Sequence, residues 1–235
     1  MFIRNEPAMK IGHSLVISDL HIGIEDELSK NGIKISDQTK ALLKRICFLI
    51  RETKARETII LGDIKKILGD IKNSIFTTKI ENKKVSEFLD SLKKVTNLVL
   101  VKGNHDGLIE KLVKKDVDVC SFVIRGSYLL THGHRKIPKN LKEKNEIKTI
   151  VIGHNHPGIC FKDRYGIVST EPCWVVGTEK EKRQVIIMPA FNPLVGETAI
   201  NRHDVMGPIA KNIDIENARI YLLDGTYLGH VKTLR

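Results

Sequence analysis

Six of the nine histidines lie at or just after the ends of segments whose composition predicts β-strands. They are His21, His105, His132, His134, His154 and His156. Histidines that only fill a core would not cluster in this way. In open α/β sheets the loops beyond the carboxyl ends of the strands form the ligand crevice, so we expect these histidines to share one site.

Five polar motifs follow apolar runs along the chain. They are Asp19-Leu20-His21, Gly62-Asp63, Gly103-Asn104-His105-Asp106, His132-Gly133-His134 and Gly153-His154-Asn155-His156. Alternate residues of an extended chain point the same way, so an Asp-x-His or His-x-His pair can aim both side chains at one ion. Alone, each motif is usually a surface residue, a turn or a structural histidine. All five in this order, each at a strand end, predict a two-metal site.

The motifs resemble those of the calcineurin-like metallophosphoesterase superfamily, which run Asp-x-His, Gly-Asp-x-x-Asp, Gly-Asn-His-Asp/Glu, His and Gly-His-x-His. The likeness spans Asp19 to His156. Gly62-Asp63-Ile64-Lys65 and the segment from Met188 to Pro193 are most similar to small archaeal phosphoesterases related to double-strand-break-repair nucleases, and to a bacterial DNA-damage-associated group. The resemblance implies an α/β fold, a four-layer αββα sandwich of two mixed sheets flanked by helices, with the site at the carboxyl ends of the strands.

The resemblance also implies a ligand set for two divalent metal ions. Asp19, His21 and His156 would hold one ion, Asn104, His132 and His154 would hold the other, and Asp63 would bridge them. Carboxylate, amide and imidazole ligands without thiolate suit Mn²⁺, Fe, Ni²⁺ or Zn²⁺, and we expect Mn²⁺. Two such ions about 3.5 to 4 Å apart would bind phosphoryl oxygens and acidify a bridging water for an in-line displacement.

His105 is the motif histidine that the family pattern leaves off the metals, over the scissile phosphate, where it stabilises the oxyanion or protonates the leaving oxygen. The family's second aspartate in Gly-Asp-x-x-Asp, which orients this histidine in phosphoprotein phosphatases, is Lys66 here. Asp106 or Asp70 is the candidate to replace it, and we assign Asp106 to the catalytic set with His105. Repair nucleases also lack the aspartate, which favours phosphodiester cleavage.

Three assignments have alternatives. The duplicated Leu-Gly-Asp-Ile-Lys makes Asp70 a second candidate for the bridge, but Asp63 directly follows a β-rich run and is preferred. His134 has either a supporting or substrate-facing role, or a structural one. Trp174 and Phe191 either stack on a base or fill the core, and the core is favoured.

The elements that position these motifs alternate in the first half of the chain, as in βαβ units with a largely parallel sheet. The expected strands there are 13–17, 58–61 and 97–101, and the expected helices are 36–53 with Ser36 as N-cap, 85–92 and 108–113. From Val119 onward strands dominate, at 122–124, 128–130, 149–152, 174–176, 185–188, 220–223 and 226–228. Asp224-Gly225 predicts a hairpin turn between the last two. Polar stretches at 72–84 and 136–146 are expected to be surface loops.

The chain has 235 residues, 41% of them apolar, and we expect a single domain over residues 1–235. No apolar run approaches the ~20 residues that cross a bilayer, and the N-terminus lacks the apolar core of a signal peptide. The four cysteines are scattered along the chain and form no Cys-x-x-Cys pair, so we expect them to be reduced thiols. We therefore expect a cytoplasmic protein without a membrane partner.

The formal net charge is +11. This excess attracts polyanions, nucleic acid foremost, but lysines that serve solubility or heat tolerance account for it equally well. The sequence contains no helix-turn-helix, zinc-finger or aromatic-glycine RNA-binding pattern. The case for nucleic acid therefore depends mostly on the resemblance.

The leading hypothesis is a metal-dependent phosphohydrolase that cleaves phosphodiesters, with nucleic acids and nucleotides among the candidate substrates. One alternative is a phosphomonoesterase for a small metabolite or a protein phosphate. Another is a non-catalytic scaffold, since the same fold serves as a binding surface in a retromer subunit. The retained His105 argues against a scaffold, and the oligomeric state is left open.

Overall fold

The computed structural model describes residues 1–66, 75–180 and 182–235, which form two β-sheets with helices on their outer faces. The strands are β1 (Met9–Ile11), β2 (Ser14–Ile17), β3 (Glu57–Leu61), β4 (Asn97–Val101), β5 (Asp118–Cys120), β6 (Val123–Arg125), β7 (Tyr128–Thr131), β8 (Thr149–Ile152), β9 (Pro157–Lys162), β10 (Val168–Thr178), β11 (Gln184–Ile187), β12 (Thr198–Ala199), β13 (Arg219–Leu222) and β14 (Tyr227–His230). The helices are α1 (Ile24–Lys30), α2 (Thr39–Thr53), α3 (Ile75–Lys93) and α4 (Lys139–Lys142). Short 3₁₀ turns lie at Ile109–Lys111, Ala210–Asn212 and Val231–Thr233.

The first sheet has the order β1-β2-β3-β4-β5. β1 is antiparallel to β2, and the pairs β2–β3, β3–β4 and β4–β5 are parallel. α2 connects β2 to β3, and α3 connects β3 to β4. This confirms the predicted βαβ organisation of the first half.

The second sheet has the order β12-β9-β10-β11-β8-β7-β6, with β13 paired to β10 and β14 paired to β13. β8 is parallel to both β7 and β11, whereas β10–β11 and β6–β7 are antiparallel. Both sheets are therefore mixed, as expected. The β13–β14 hairpin turns at Asp224-Gly225, where Gly225 has φ +93°.

Three apolar cores separate four layers. The core between the two sheets includes Val16 and Ile59 from the first sheet and Val151 and Trp174 from the second. α2 and α3 cover the outer face of the first sheet, where α2 buries Leu42, Ile46, Leu49 and Ile50 at helical spacing. The outer face of the second sheet is covered by short segments, among them α4 and the 210–212 turn. The sandwich is therefore four-layered, with little helix on that side.

Several predicted boundaries were wrong. The 72–84 stretch is helical from Ile75 onward in α3, and the 136–146 stretch contains α4. Residues 108–113 form only a 3₁₀ turn, because Leu108 adopts a left-handed backbone conformation, φ 59°, that interrupts a helix. Ser36 is not the N-cap of α2, whose N-cap is Gln38. β1, α1, β5, β9 and β12 were not predicted.

Other predictions can be compared with the structure. Trp174 is 1% and Phe191 0% exposed, so both fill the core. The four cysteines are all described and all free. Within the described part of the chain, no helix is long and apolar enough to cross a membrane. The prediction for Asp70 and the second Leu-Gly-Asp-Ile-Lys copy falls in residues 67–74, outside the described residues.

Candidate metal centre

The five motifs all lie at the carboxyl ends of strands that run in parallel within their sheets. In the first sheet Asp19 follows β2, Asp63 follows β3 and Asn104 follows β4. In the second sheet His132 follows β7 and His154 follows β8. The two sheets present these ends at one edge of the sandwich, so residues far apart in sequence meet there.

One group of three side chains, which we call the Asp19 cluster, consists of Asp19, His21 and His156. His156 Nε2 lies 3.3 Å from Asp19 Oδ1 and 3.3 Å from His21 Nε2. Two imidazole nitrogens bound to one ion at about 2.0 to 2.1 Å would be roughly 2.8 to 3.4 Å apart. The separation of the two ring nitrogens therefore fits a shared cation.

A second group, the Asp63 cluster, consists of Asp63, His132 and His154. His132 Nε2 lies 3.2 Å from Asp63 Oδ2 and 3.1 Å from Asn104 Oδ1. The other ring nitrogen, His132 Nδ1, is 2.7 Å from the carbonyl oxygen of Leu61, which fixes the ring orientation and leaves Nε2 free to face a metal. Asn104 therefore joins this cluster, as the sequence predicts.

Asp63 belongs to the Asp63 cluster and also faces the Asp19 cluster. Its Oδ2 is 3.2 Å from His132 Nε2, 3.9 Å from His21 Nε2 and 3.8 Å from His105 Nε2. Its Oδ1 accepts a hydrogen bond from the backbone N–H of His105 at 3.0 Å. This is the position that a bridging carboxylate would take.

The electrostatics of the site favour cations. Asp19 is fully buried and Asp63 is 2% exposed. Burial acts to raise the pKa of Asp19, but His156, His132 and His21 more than offset it, and the pKa lies well below its ordinary value. Burial likewise acts to lower the pKa of His132, but the hydrogen bond to Asp63 and the charge of Asp19 raise it to about 9. Two buried carboxylates that hold a proton on a buried imidazole would also hold a metal ion.

The pKa values of two other candidate ligands, His21 and His154, are lowered, which favours the neutral form that metal ligation requires, whereas Asp19 raises the pKa of His156 against the effect of burial. Burial lowers the pKa of His21 to about 4. Burial and the neighbouring His132 lower the pKa of His154 as well. The donor set of carboxylates, neutral imidazoles and one amide fits divalent first-row metals.

The backbone at this edge is held in unusual conformations. Five ligand candidates have left-handed φ values between 41° and 70°. They are Asp19, His21, Asp63, His154 and His156. Such conformations cost about 1 to 3 kcal/mol each in non-glycine residues and persist where the surrounding structure imposes them, often at functional sites. These backbone conformations direct the candidate ligand side chains of several loops into the same space.

Glycines permit the close approach of these loops. A Cβ on Gly103 would overlap Asp63, and a Cβ on Gly62 would lie 2.6 Å from His132 Nδ1. A Cβ on Gly153 would lie 2.6 Å from Asp19 Oδ2. The glycines that precede the motif residues are therefore required by packing against the candidate ligands themselves.

Asp106, which the sequence assigns to His105, is placed elsewhere. Its side chain is fully buried, and Oδ1 accepts hydrogen bonds from the backbone N–H groups of Ile64 at 2.9 Å and Lys65 at 3.2 Å. Oδ2 accepts from the N–H of Gly103 at 2.8 Å. Both carboxylate oxygens thus tie the Asp63 loop to the Asn104 loop. Asp106 positions these loops instead of contacting the His105 ring.

His105 lies at the mouth of the site. Its side chain is 24% exposed, and Nε2 is 2.8 Å from Asn104 Nδ2 and 3.8 Å from Asp63 Oδ2. The hydrogen bond from Asn104 therefore holds the ring, with the Asp63 carboxylate close by. Lys66, at the family's second aspartate position, is buried, and its aliphatic chain packs beside Gly23.

His134 lies beside the Asp63 cluster, with its ring centroid 5.2 Å from that of His132 and 6.2 Å from that of His154. Both ring nitrogens are buried and have no hydrogen-bond partner among the described residues. Burial, with the charge of His132, lowers its pKa to about 4. A neutral imidazole with two unused nitrogens is available to a ligand of the site.

Sequence reasoning missed the residues that support the Asp19 loop. Ser18 Oγ donates to Asp19 Oδ2 at 2.7 Å. The backbone N–H of Phe191 donates to the carbonyl of Ser18 at 2.9 Å, and Asn192 Nδ2 donates to the carbonyl of Leu20 at 2.7 Å. The Met188 to Pro193 segment, singled out by sequence, therefore braces the first metal-ligand loop. No sequence signal marked Ser18.

Comparison with known proteins identifies the class. The family model of calcineurin-like phosphoesterases matches residues 13–193. The structure is similar to that of the nuclease MPE from Pseudomonas putida, with a TM-score of 0.54, 22% identity and coverage of 92% of this chain and 88% of that one. It is also similar to YfcE, a phosphoesterase from E. coli, with a TM-score of 0.45, 17% identity and coverage of 92% and 96%. No curated protein shows significant sequence similarity to the chain.

The fold and the site define a metallophosphoesterase, as the sequence motifs predict. The chain belongs to the calcineurin-like phosphoesterase family, and it is a metal-dependent phosphoesterase.

Proposed function

We propose that this protein is a two-metal phosphodiesterase whose ions are held by the Asp19 cluster, by the Asp63 cluster with Asn104, and by the carboxylate of Asp63 between them. The observation that carries the proposal is the position of Asp63 Oδ2, within 4 Å of ring nitrogens from both clusters and of His105. Manganese is the expected ion, and the donor set also accepts Ni²⁺, Zn²⁺ or Fe. When bound, two divalent ions supply the charge that binds phosphoryl oxygens and acidifies the attacking water.

The chain's own residues supply the remaining chemistry. The His105 ring is partly exposed and its Nε2 lies 3.8 Å from Asp63 Oδ2, so a phosphate bound at the metal centre would place its leaving oxygen within reach of Nε2. In the free site Asn104 Nδ2 donates to His105 Nε2, so the ring would turn from Asn104 once it is protonated and donate the Nε2 proton to that oxygen as the P–O bond breaks, a contribution of typically ~10² to 10⁴ in rate. Asn104 holds the ring, and Asp106 holds the loop that carries both residues.

Two features favour a diester over a monoester. The position of the family's second aspartate is occupied by Lys66, a departure that this chain shares with repair nucleases, and Lys66 is buried here. The fold is shared with a nuclease from Pseudomonas putida. The free cysteines suit the reducing cytoplasm, where we place the activity.

The test is hydrolysis of bis-p-nitrophenyl phosphate against p-nitrophenyl phosphate, after metal removal and restoration of Mn²⁺, Ni²⁺ or Zn²⁺. We expect metal-dependent turnover with the diester preferred, and its loss in His105→Ala. His13→Ala is the matched control, because His13 is exposed and precedes β2, at the opposite end of the strand from Asp19. Preferential monoester cleavage would replace the diester assignment, and turnover without any metal would contradict the two-metal chemistry.

A further inference from the structure

Two cavities on the outer side of the second sheet are lined by cationic side chains. The first, about 470 Å³, includes Lys136, Lys139, Lys142 and Lys180 in its lining. The second, about 640 Å³, includes Lys144, Lys148 and Lys182 together with Lys142. Because both are lined by Lys142, they adjoin, and we call the pair the lysine groove.

The charge of the lysine groove is strongly positive. Residues 135–148 alone contain six lysines or arginines and two glutamates. The acidic residue in the lining of the first cavity, Glu179, is 4% exposed and ion-paired with Arg183, and its other oxygen is 3.4 Å from Asn212 Nδ2. Glu179 is therefore committed to its own partners. Glu143 lies 3.8 Å from Lys139 and Glu146 lies 3.6 Å from Lys144, but the lysines outnumber these carboxylates, so the net field in the groove is positive.

One end of the lysine groove adjoins the metal centre. Lys136 is four residues beyond His132, so its Cα lies within about 15 Å of that ligand. Pro208 and Ile209 line the same cavity, and a Cβ on the preceding Gly207 would lie 3.3 Å from His154 Cδ2 and 2.7 Å from the carbonyl oxygen of Gly133. The 206–207 loop is also fixed to the site, because Asn155 Oδ1 accepts from the N–H of Met206 at 2.6 Å.

The other end lies at the opposite edge of the sheet. Thr149 and Gln184, the first residues of β8 and β11, line the second cavity. Four residues of β8 span about 13 Å at the usual rise per residue. The groove therefore extends away from the metal centre by a distance that several successive phosphates would occupy.

We propose that the lysine groove binds the phosphate backbone of a polynucleotide strand whose scissile phosphate lies at the metal centre. This rests on the proposed phosphodiesterase function and names its substrate class. A small metabolite would leave the far cavity unused, whereas a strand would contact both. Among the described residues, the lining contains lysines and no aromatic side chain, so the groove contacts phosphates and does not select bases.

Binding is measured first, without catalysis. Metal-free protein is titrated against fluorescent 30-nucleotide strands of DNA and of RNA at several salt concentrations, and binding is followed by anisotropy. Wild type should bind both, with an affinity that falls as salt rises. The variant Lys136→Gln/Lys139→Gln/Lys180→Gln should bind about tenfold or more weakly, with a salt slope shallower by about 2, since each phosphate contact contributes about 0.7 for single strands.

The matched control is Lys40→Gln/Lys44→Gln/Lys94→Gln, which removes the same charge from exposed positions on and after the helices of the opposite face. It should retain near wild-type binding. An equal loss of binding affinity in both triple variants would show that only net charge matters and would overturn the proposal that the lysine groove binds the strand. If wild type bound neither the DNA strand nor the RNA strand, the proposal would be overturned as well.

Catalysis separates this inference from the proposed function. The ratio of kcat/KM for the oligonucleotide to kcat/KM for bis-p-nitrophenyl phosphate should fall at least tenfold in the groove variant and stay unchanged in the control variant. Wild type that binds strands but cleaves neither the strands nor bis-p-nitrophenyl phosphate would refute the phosphodiesterase and keep the groove. Wild type that cleaves both substrates, with an unchanged ratio in the groove variant, would keep the phosphodiesterase and refute the groove.

Discussion

Substitution of Asp106 tests whether this residue positions two loops of the site or orients the catalytic histidine, His105. The carboxylate is fully buried and accepts hydrogen bonds from three backbone N–H groups of two loops, at 2.8 to 3.2 Å. Asp106→Ala leaves these three donors without an acceptor. The two buried ones, the N–H groups of Ile64 and Gly103, cost about 1 to 3 kcal/mol each, which gives a loss of roughly 2 to 6 kcal/mol. That is a large part of the roughly 5 to 15 kcal/mol by which native proteins are stable.

Asp106→Asn is the sharper variant because it keeps the shape. One oxygen still accepts, but the new amide N–H₂ group faces a backbone donor, so we expect a loss of about 1 to 3 kcal/mol. The Asp63 and Asn104 loops would separate, and metal affinity would fall with stability. Urea unfolding and metal titration measure the two effects, and the exposed Asp118→Asn is the control. If Asp106→Asn lost turnover while stability and metal affinity stayed at wild-type values, the positioning role would be refuted in favour of direct action on His105.

Further predictions concern the metal ligands and their neighbours. His105→Ala should keep its metal content, measured by elemental analysis, and lose about 10² to 10⁴ in kcat, because it removes only proton transfer; concurrent metal loss would contradict this. Asp63→Asn should lower bound metal by at least half, since it removes the charge between the two clusters. Because the pKa of His132 is raised to about 9, a metal ion displaces its proton at neutral pH, so the affinity for metal should rise about tenfold per pH unit from pH 6 to 8. Calorimetry should detect the released proton, and an affinity independent of pH would contradict this prediction. Gly103→Ala, whose Cβ would overlap Asp63, should lose both metals and at least about 1 to 3 kcal/mol of stability, whereas Gly107→Ala, with open space around it, should lose neither.

The fold class and the convergence of the motifs could both be predicted from sequence. Strands β3, β4 and β8 are short runs of buried β-branched and leucine residues, and their ends fix the motif loops. Because the carboxyl ends of parallel strands meet at one edge of a sheet, the convergence of the five motifs was foreseeable. The role of Asp106 was not, since backbone amides three and more residues away carry no sequence signature.

The elements that were missed lack a local signal. β1 and β12 are two or three residues long, and pairing with a neighbouring strand, not propensity, makes them strands. The sequence at the start of α3 is rich in polar residues and lysine, so it resembles a surface loop. The apolar residues of α3 that pack in the core, such as Val85, Phe88 and Leu89, come later in the helix. The lysine groove likewise depends on the approach of residues 136–148 to Lys180 and to residues 182–184, which composition alone does not show.

Two ions at the shared carboxyl edge of the sheets, with Asp63 between them, are the basis of the proposed chemistry. Anomalous diffraction at the manganese edge from Mn²⁺-loaded crystals would locate such ions without reference to activity. Two peaks are predicted for each chain, one within the Asp19 cluster and one within the Asp63 cluster, both in contact with the Asp63 carboxylate. A single peak, or two peaks of which at least one lies outside these clusters, would contradict the two-metal site.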